Sequence, residues 1–389
     1  MESQFGWLCD GEHHRAIANA RTPACFEDRH FSPIAGENLR GPTQFFGRLA
    51  LRENRKQMSA RVNLVVLWFA LSAVQGAAGS PSKIAVIHVT VIDVRAGTIE
   101  KDMTVLIVGD RISAVRAAEG EERLPTKEIT VIDGHGKYLI PGLWEMHIRT
   151  DGDDRALHLL IAYGITGGRD MAGDVAKLAD VRRRITSGEL IGPQLVFGGP
   201  MLEGPPSQAD DWTWIIQSPE EARNAIDRLV ELRVDFVKVH DGLARESYLA
   251  IAVASKERGI SFVGHVPASM TPPEASDLGQ KSIEHFEFVP KSCRVLFESA
   301  VGDALRAATL NPALFLGLSD SLGTIEVGKT ASMVLLEANP LHDIRNTKRI
   351  VAVISEGRYL NREGLERLRR ENCRKLFSRF YSLMATRFF

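Results

Sequence analysis

The sequence lacks the features that mark several specialised classes of protein. It contains only four cysteines in 389 residues, too few and too scattered for a disulfide scaffold or for a zinc site built from cysteines. It also lacks an excess of charge, because 48 Lys and Arg residues stand against 49 Asp and Glu residues. A net charge of −1 excludes a strongly basic nucleic-acid binder and gives no field that attracts polyanions. Nucleic acid is therefore not an expected partner.

Glycine and proline are not abundant either. With 33 and 17 residues, they indicate neither collagen nor a long disordered chain. Hydrophobic residues make up 44% of the chain and charged residues 25%, as in ordinary globular proteins. At about 100–200 residues per domain, the length allows two or three domains. The composition thus predicts a core-rich α/β or α+β protein of enzyme size.

A long hydrophobic run is missing as well. The apolar run at 64–73 is about half as long as the roughly 20 residues of a membrane helix, so no stable membrane span is expected. It follows the basic start Met58-Ser-Ala-Arg61 and precedes the small residues Gly76-Ala77-Ala78, which is the pattern of a secretory signal peptide. We predict a signal peptide over 58–78 and an unassigned extension over 1–57. The mature protein is then secreted or periplasmic if translation starts at Met58. A buried helix or a short anchor is the alternative.

Two separated segments of the chain are rich in β-branched residues. Short strands are predicted at 84–93, 103–108, 111–115 and 128–133, in a module over 84–138 that is too small to be stable alone. Residues 319–361 are also rich in β-branched residues. We expect the two segments to pair as one composite β-sandwich. The basic tail over 362–389 is predicted to be a solvated helix with a frayed end, with a surface-seeking helix as the alternative.

Between these segments, short strands alternate with helices. Strands are predicted at 143–149, 165–171, 194–198, 236–240, 262–266 and 282–286. Helices are predicted at 153–163, 174–186, 219–232 and 245–258, and a further helix at 304–318 that Pro312 should interrupt or restart. This alternation predicts parallel βαβ units. An open doubly wound sheet is less well supported, because no glycine-rich dinucleotide fingerprint follows any strand.

The length of this region predicts an incomplete barrel. A (β/α)-barrel takes about 250 residues, or roughly 31 for each strand–helix unit. The 180 residues from 139 to 318 provide only about six such units. We therefore predict a TIM-like barrel of about six strands that is truncated internally. Either the chain is a degraded paralogue, or its gene model skips coding sequence near 292–300.

Polar side chains cluster at the carboxyl ends of these strands, where such barrels build their sites. Strand parity places Lys238 and His240 on the inner face, and it places His147 and Arg149 together on another strand. His265 and His285 end the next two strands. Converging imidazoles with an inward lysine are typical of a site for Zn²⁺ or a similar ion. Taken singly, each histidine is also compatible with a hydrogen-bonded core residue, Lys238 with an ion pair and Arg149 with a phosphate or carboxylate clamp.

The segment Ile140-Pro-Gly-Leu-Trp-Glu-Met-His147 resembles a signature of the amidohydrolase superfamily. Further segments follow in the family's order: Gly164-Ile-Thr-Gly-Gly-Arg-Asp-Met171, Phe236-Val-Lys-Val-His-Asp-Gly242, Gly264-His-Val-Pro267, Ile283-Glu-His285, and those at 304–312, 322–329 and 339–344. Within the superfamily, the chain is similar to imidazolonepropionase-like enzymes and to dipeptidases that release a C-terminal Pro, Lys or Arg.

The resemblance implies a barrel with a composite β-sandwich and one or two divalent metal ions, zinc above all. By position, His147 would be the first metal ligand, a carboxylated Lys238 would bridge the metals, and His265 and His285 would bind the second metal. Arg149 and His240 are expected to contact a small-molecule substrate. Metal-activated water would attack a carbonyl carbon and expel an amine, which hydrolyses a C–N bond in an amide, cyclic amide or dipeptide. A homo-oligomer is compatible with this resemblance.

Three departures from the family pattern lead to a second hypothesis. Arg149 stands where the family has a second metal-binding histidine, and a guanidinium repels a metal ion. The catalytic aspartate that ends the family's eighth strand has no counterpart in the sequence, and Ser332 replaces an aspartate that is usual after the Gly-Lys-x-Ala turn. The chain is therefore either a hydrolase or a non-catalytic homologue that acts as a scaffold or binding protein.

Overall fold

The structure is a computed structural model that describes residues 82–118, 129–207, 212–285 and 301–373. The predicted extension, the predicted signal peptide and the predicted truncation near 292–300 lie outside these residues. None of the helices in the described ranges is long and apolar enough to cross a membrane.

The described residues contain fifteen strands and eight helices. The strands are β1 (Lys83–Asp93), β2 (Thr98–Val108), β3 (Arg111–Ala117), β4 (Thr130–Asp133), β5 (Tyr138–Pro141), β6 (Leu143–Ile148), β7 (Ile165–Asp170), β8 (Gln194–Phe197), β9 (Met201–Glu203), β10 (Thr213–Ile215), β11 (Val237–Val239), β12 (Phe262–Gly264), β13 (Met333–Leu336), β14 (Ile350–Ser355) and β15 (Arg358–Asn361). The helices are α1 (Asp154–Ala162), α2 (Val175–Ser187), α3 (Pro219–Glu231), α4 (Arg245–Arg258), α5 (Pro272–Asp277), α6 (Val301–Ala307), α7 (Leu310–Leu316) and α8 (362–373), with a 3₁₀ turn at Ile344–Lys348.

Strands from both predicted β-segments form one sheet. Its order is β15-β14-β13-β5-β1-β2-β3, and β4 also pairs with β1. The two segments join where β5 pairs antiparallel with β13, for example Leu139 with Leu335. Strand β1 is long enough to pair with β4 over its first half and with β5 further along. The strands therefore form one continuous hydrogen-bonded sheet. This sheet extends to Pro141, three residues beyond the expected boundary at 138.

The two faces of this sheet bury different partners. One face encloses its own aliphatic cluster, which includes Val86 and Met333. The other face packs Val334 against Ile161 of α1 and Leu365 of α8. Each such side chain contributes about 1.5–3 kcal/mol when it is buried. The prediction of a solvated helix is wrong for residues 362–373, because α8 buries its apolar side chains in this cluster.

The predicted βαβ alternation is present between β6 and α5. Parallel pairs join β6 to β7 and β7 to β8, and a second parallel sheet has the order β10-β9-β11-β12. The amide of Asp235, just before β11, donates to the Phe197 carbonyl of β8 at 2.9 Å and connects the two sheets. Residue Ile283 adds a parallel bridge to Gly264. Strands β9 and β10 were not predicted, because three-residue strands carry too short a pattern. The helix predicted at 304–318 is split into α6 and α7, and Pro312 lies in the first turn of α7, where proline is tolerated.

Side chains of β11 alternate as the sequence predicts. Val237 and Val239 pack with residues of the surrounding helices, such as Ile226 and Ile251. Phe236 and Lys238 point to the opposite side, where the Phe236 ring lies 5.8 Å from the guanidinium of the β7 residue Arg169. This alternation places Lys238 inside the arc of parallel strands, with a fully buried side chain.

Gly264 provides a test of how tightly β11 and β12 are packed. Its φ is +136°, and a methyl group there would lie 2.1 Å from the Val239 carbonyl oxygen. We expect Gly264→Ala to lower the free energy of unfolding by more than about 3 kcal/mol, because the strands must separate. The matched control is Gly259→Ala, where φ is +67° and no atom lies within 4 Å of the added methyl. Backbone strain alone costs about 1–2 kcal/mol there. Equal losses in urea denaturation would contradict the prediction.

Candidate functional site

Four of the predicted histidines converge at the carboxyl ends of the parallel strands. His147 lies in β6, His240 follows β11, His265 follows β12, and His285 follows the bridge at Ile283. The ring centroids form a chain: His147 to His285 at 4.6 Å, His285 to His265 at 5.0 Å, and His265 to His240 at 4.2 Å. The strand ends thus bring together residues that are up to 138 positions apart in the sequence.

Three of these imidazoles are held by carboxylates through the same ring nitrogen. Nδ1 of His147 contacts Glu284 at 2.8 Å, and Nδ1 of His265 contacts Asp241 at 2.8 Å. Nδ1 of His240 contacts Glu203. Since a carboxylate accepts the hydrogen bond, the proton of each neutral ring lies on Nδ1 and the lone pair lies on Nε2. Metal-binding histidines are oriented in this way by outer carboxylates.

Among the histidines and Lys238, two buried nitrogen atoms have no hydrogen-bond partner within the described residues. One is Nε2 of His265, and the other is Nζ of Lys238. Burial, with the nearby charges of Lys238 and His240, lowers the pKa of His265 to about 4, so its ring is neutral at pH 7. Burial likewise lowers the pKa of Lys238 to about 8. A buried polar atom without a partner is costly, so both atoms are suited to a ligand or a modification that the protein itself does not supply.

The chemistry of the donor atoms fits a divalent metal ion. Ligand atoms of His240, Asp241 and His265 all lie within 4.8 Å of one another. Two imidazoles with a carboxylate are typical ligands of zinc and related ions. His285 contacts His265 edge-on and has a φ of +66°, in the left-handed region. The residues present therefore fit a metal ion at the His265 end of the cluster.

Arg149 lies two residues beyond His147, at the end of β6. Its Nη2 approaches the Met201 sulfur at 3.8 Å, and its Nε is buried without a hydrogen-bond partner. No carboxylate oxygen of the described residues lies within 4.0 Å of its guanidinium. Its charge also contributes to the lowered pKa of Lys238. The His147 end of the cluster is therefore more positive than the His265 end.

A buried ion pair beneath the histidines was missed by the sequence analysis. Arg169 is 3% exposed and donates to the Met146 carbonyl at 2.6 Å, to the Ser282 hydroxyl at 3.2 Å and to Glu284 at 2.8 Å. Burial alone would raise the pKa of Glu284, but the His147 hydrogen bond and the Arg169 charge lower it to about 2. The available signal was an arginine inside a predicted strand, because a buried guanidinium requires a buried partner.

Asp170 has a mainly structural position at the end of β7. One carboxylate oxygen accepts from the Thr150 amide at 2.9 Å and from the Thr150 hydroxyl at 2.7 Å, and the other is buried without a partner among the described residues. Burial raises the pKa of Asp170 to about 6, although the hydrogen bonds from Thr150 act in the opposite direction. This carboxylate holds Thr150, the residue that follows Arg149 directly, and so it fixes the backbone beside Arg149.

Comparisons with known proteins agree with this arrangement. The family model described as "Amidohydrolase family" matches residues 275–360. None of the curated protein sequences matches the chain. Among solved structures, the chain resembles a Bifidobacterium longum protein described as a prolidase, with a TM-score of 0.61, 20% identity and coverage of 76% of this chain and 100% of that one. An Xaa-Pro dipeptidase with bound methionine has a TM-score of 0.59, 18% identity and coverage of 72% and 100%.

A third similar structure is the A. niger ochratoxinase, with a TM-score of 0.59, 16% identity and coverage of 74% of this chain and 97% of that one. These similarities show an α/β fold of the TIM-barrel type with an added sheet domain. The family model confirms the resemblance of the sequence to the amidohydrolase superfamily over residues 275–360.

Asp170 predicts a specific pH dependence of stability. Its pKa is about 6 in the folded protein against an ordinary value of 3.8, so the folded state binds more protons between these values. The contribution of Asp170 to the free energy of unfolding is fully present below about pH 4. It is lost as the pH rises through about 6, which lowers the free energy of unfolding by about 3 kcal/mol. Asp170→Asn should remove this loss when urea denaturation is compared at about pH 4 and about pH 7.

The control for this measurement is Asp227→Asn, because Asp227 is partly exposed and paired with Arg258 at 2.7 Å. It should retain the pH slope of the unchanged protein. An unaltered slope in Asp170→Asn would contradict the assignment.

Proposed function

We propose that the chain is a metal-dependent hydrolase that cleaves a C–N bond in an amide, cyclic amide or dipeptide. The observation that carries this proposal is the set of three imidazoles whose Nδ1 atoms are held by Glu284, Asp241 and Glu203. Such a set leaves Nε2 atoms for a ligand, and Nε2 of His265 is buried without a partner in the described part of the chain. The similarity to a prolidase and to an Xaa-Pro dipeptidase makes dipeptides the first substrates to test.

His240 and His265 would hold a first divalent ion through their Nε2 atoms, and Glu203 and Asp241 would orient the two rings through Nδ1. From the family pattern, His147, Lys238 and His285 would complete a two-metal site. A divalent ion bound there would supply a Lewis acid for the carbonyl oxygen and a water of lowered pKa. Zinc suits the nitrogen-rich donor set best.

Lys238 is the residue whose chemical state decides how much positive charge the site carries. The amine is fully buried without a hydrogen-bond partner in the described residues, and its pKa is lowered to about 8 by burial. The neutral amine, which is the form that adds carbon dioxide, is therefore a minority near pH 7 but far more populated than in an ordinary lysine. Carboxylation would replace a positive charge by a negative one and provide oxygen ligands.

The alternative is a non-catalytic homologue, and Arg149 is the observation that favours it. A guanidinium two residues from His147 raises the positive potential where a second ion would bind. The family's catalytic aspartate is also missing from the sequence, in line with an internal truncation that leaves about six barrel strands. Under this alternative, the scaffold binds fewer than two metals and hydrolyses dipeptides poorly.

Measuring bound zinc together with hydrolysis distinguishes the metal-dependent hydrolase from the non-catalytic homologue. We expect the purified full chain to retain zinc, and we expect EDTA to remove both the zinc and the hydrolysis of Ala-Pro. Glu203→Gln should weaken zinc binding by about 10–100-fold, because Glu203 orients His240 without ligating. His265→Ala should lose the ion. The exposed His342→Ala is the control and should retain the zinc content of the unchanged protein.

The measurements are zinc content by mass spectrometry and release of free proline. A chain that binds no zinc, or binds zinc without any turnover, would contradict the hydrolase. Two tightly bound ions with rapid turnover would contradict the non-catalytic alternative.

We also propose that the protein is exported, because residues 58–78 have the pattern of a signal peptide. Expression of the whole reading frame should yield a mature chain that begins after Ala78. N-terminal sequencing that finds residues 1–57 intact on the exported protein would contradict this.

A further inference from the structure

Two arginines lie near the carboxyl ends of β6 and β7, the half-buried Arg149 and the buried Arg169, and they differ in how their charge is satisfied. Arg169 donates to a carboxylate, a carbonyl and a hydroxyl, and its guanidinium also stacks near the Phe315 ring at 5.3 Å. Arg149 has only the weak contact of Nη2 with the Met201 sulfur at 3.8 Å, and its Nε is buried without a partner. Within the described residues, Arg149 is thus a partly buried cation without a counter-ion.

Among the described residues, none of the nearby carboxylates serves as a counter-ion for Arg149. Asp170 is near enough for the charge of Arg149 to influence its pKa, but one of its oxygens is occupied by Thr150. The other oxygen makes no hydrogen bond with any described residue, so it does not contact the guanidinium. Glu203 follows Met201 by two residues, but its carboxylate is taken by His240 and by the amides of Gly204 and Gly242.

Arg149 lies close to the proposed reaction site. Arg149 follows His147 by two residues at the end of β6, and its charge reaches Lys238 at the centre of the cluster. A guanidinium presents paired N–H groups that match both oxygens of a carboxylate. Removing a cation from water without a partner is costly, so a carboxylate delivered by the substrate would satisfy Arg149 when it binds.

We propose that Arg149 is a specificity-determining residue that binds a carboxylate of the substrate. The substrate class is an amide that carries a free carboxylate, such as a dipeptide or an N-acyl amino acid. This inference rests on the proposed function, because it places the carboxylate beside the scissile C–N bond. Arg149 recognises the substrate and takes no part in the bond changes.

Binding to the metal-free protein tests this proposal separately from catalysis. The probes are N-acetyl-L-alanine and its uncharged counterpart N-acetyl-L-alaninamide, titrated calorimetrically into the EDTA-treated full chain. We expect the acid to bind about 10–100-fold more tightly than the amide, the range of a charge-assisted hydrogen-bonded pair. Arg149→Gln should remove this preference. Arg149→Lys should retain part of it, because an ammonium keeps the charge without the paired geometry.

The control variant is Arg155→Gln. Arg155 lies at the start of α1, but Asp153 already neutralises it, so the preference should be unchanged. Equal binding of acid and amide to the unchanged protein, or a preference that survives in Arg149→Gln, would overturn the proposal. If the acid preference is present but hydrolysis is absent with zinc, the carboxylate site holds and the hydrolase fails. If hydrolysis is present without the preference, the hydrolase holds and the carboxylate site fails.

Discussion

The buried contact between Arg169 and Glu284 is the interaction on which the geometry of the site depends. Arg169 lies in β7, and its guanidinium also binds the Met146 carbonyl of β6. Glu284 directly follows the bridge residue Ile283. One side chain therefore spans three elements that are far apart in sequence. Glu284 then holds His147 by its second oxygen. A buried ion pair adds little net stability compared with apolar packing, but it fixes which groups face each other.

This dependence explains why the sequence predicts the site only in part. The parity of β11 places Lys238 and His240 on the inner face, and strand ends place His265 and His285 at the same edge, because both features are local to a strand. The carboxylates that hold the rings could not be predicted from such local features. Glu203 lies in a three-residue strand, which is too short to show a periodic pattern of apolar residues. Glu284 lies in the motif Ile283-Glu-His285, in which the histidine was the predicted functional residue. Their roles follow only from contacts across the arc.

The fold was predictable to the same extent and for the same reason. Strand–helix alternation and the composite sheet follow from local patterns of apolar residues. The continuity of that sheet does not, since it depends on β1 pairing with β4 and β5 in succession. Likewise, Leu365 and Leu368 lie in a basic tail whose composition suggests solvent, and only the apolar face of β13 and β14 shows what they cover.

The balance of charge links the metal site to the substrate. Arg149, Arg169 and Lys238 place three cationic groups near the histidines, and Glu284 compensates Arg169 by direct contact. A divalent ion added beside Arg149 raises the local positive charge further, and carboxylation of Lys238 or an anionic ligand lowers it. Under the proposed function, Arg149 would weaken metal binding at the His147 end and would create a demand for negative charge at that same place. A reduced metal content and a preference for anionic amides would then be two consequences of one residue, because a cation that repels a second metal attracts a carboxylate.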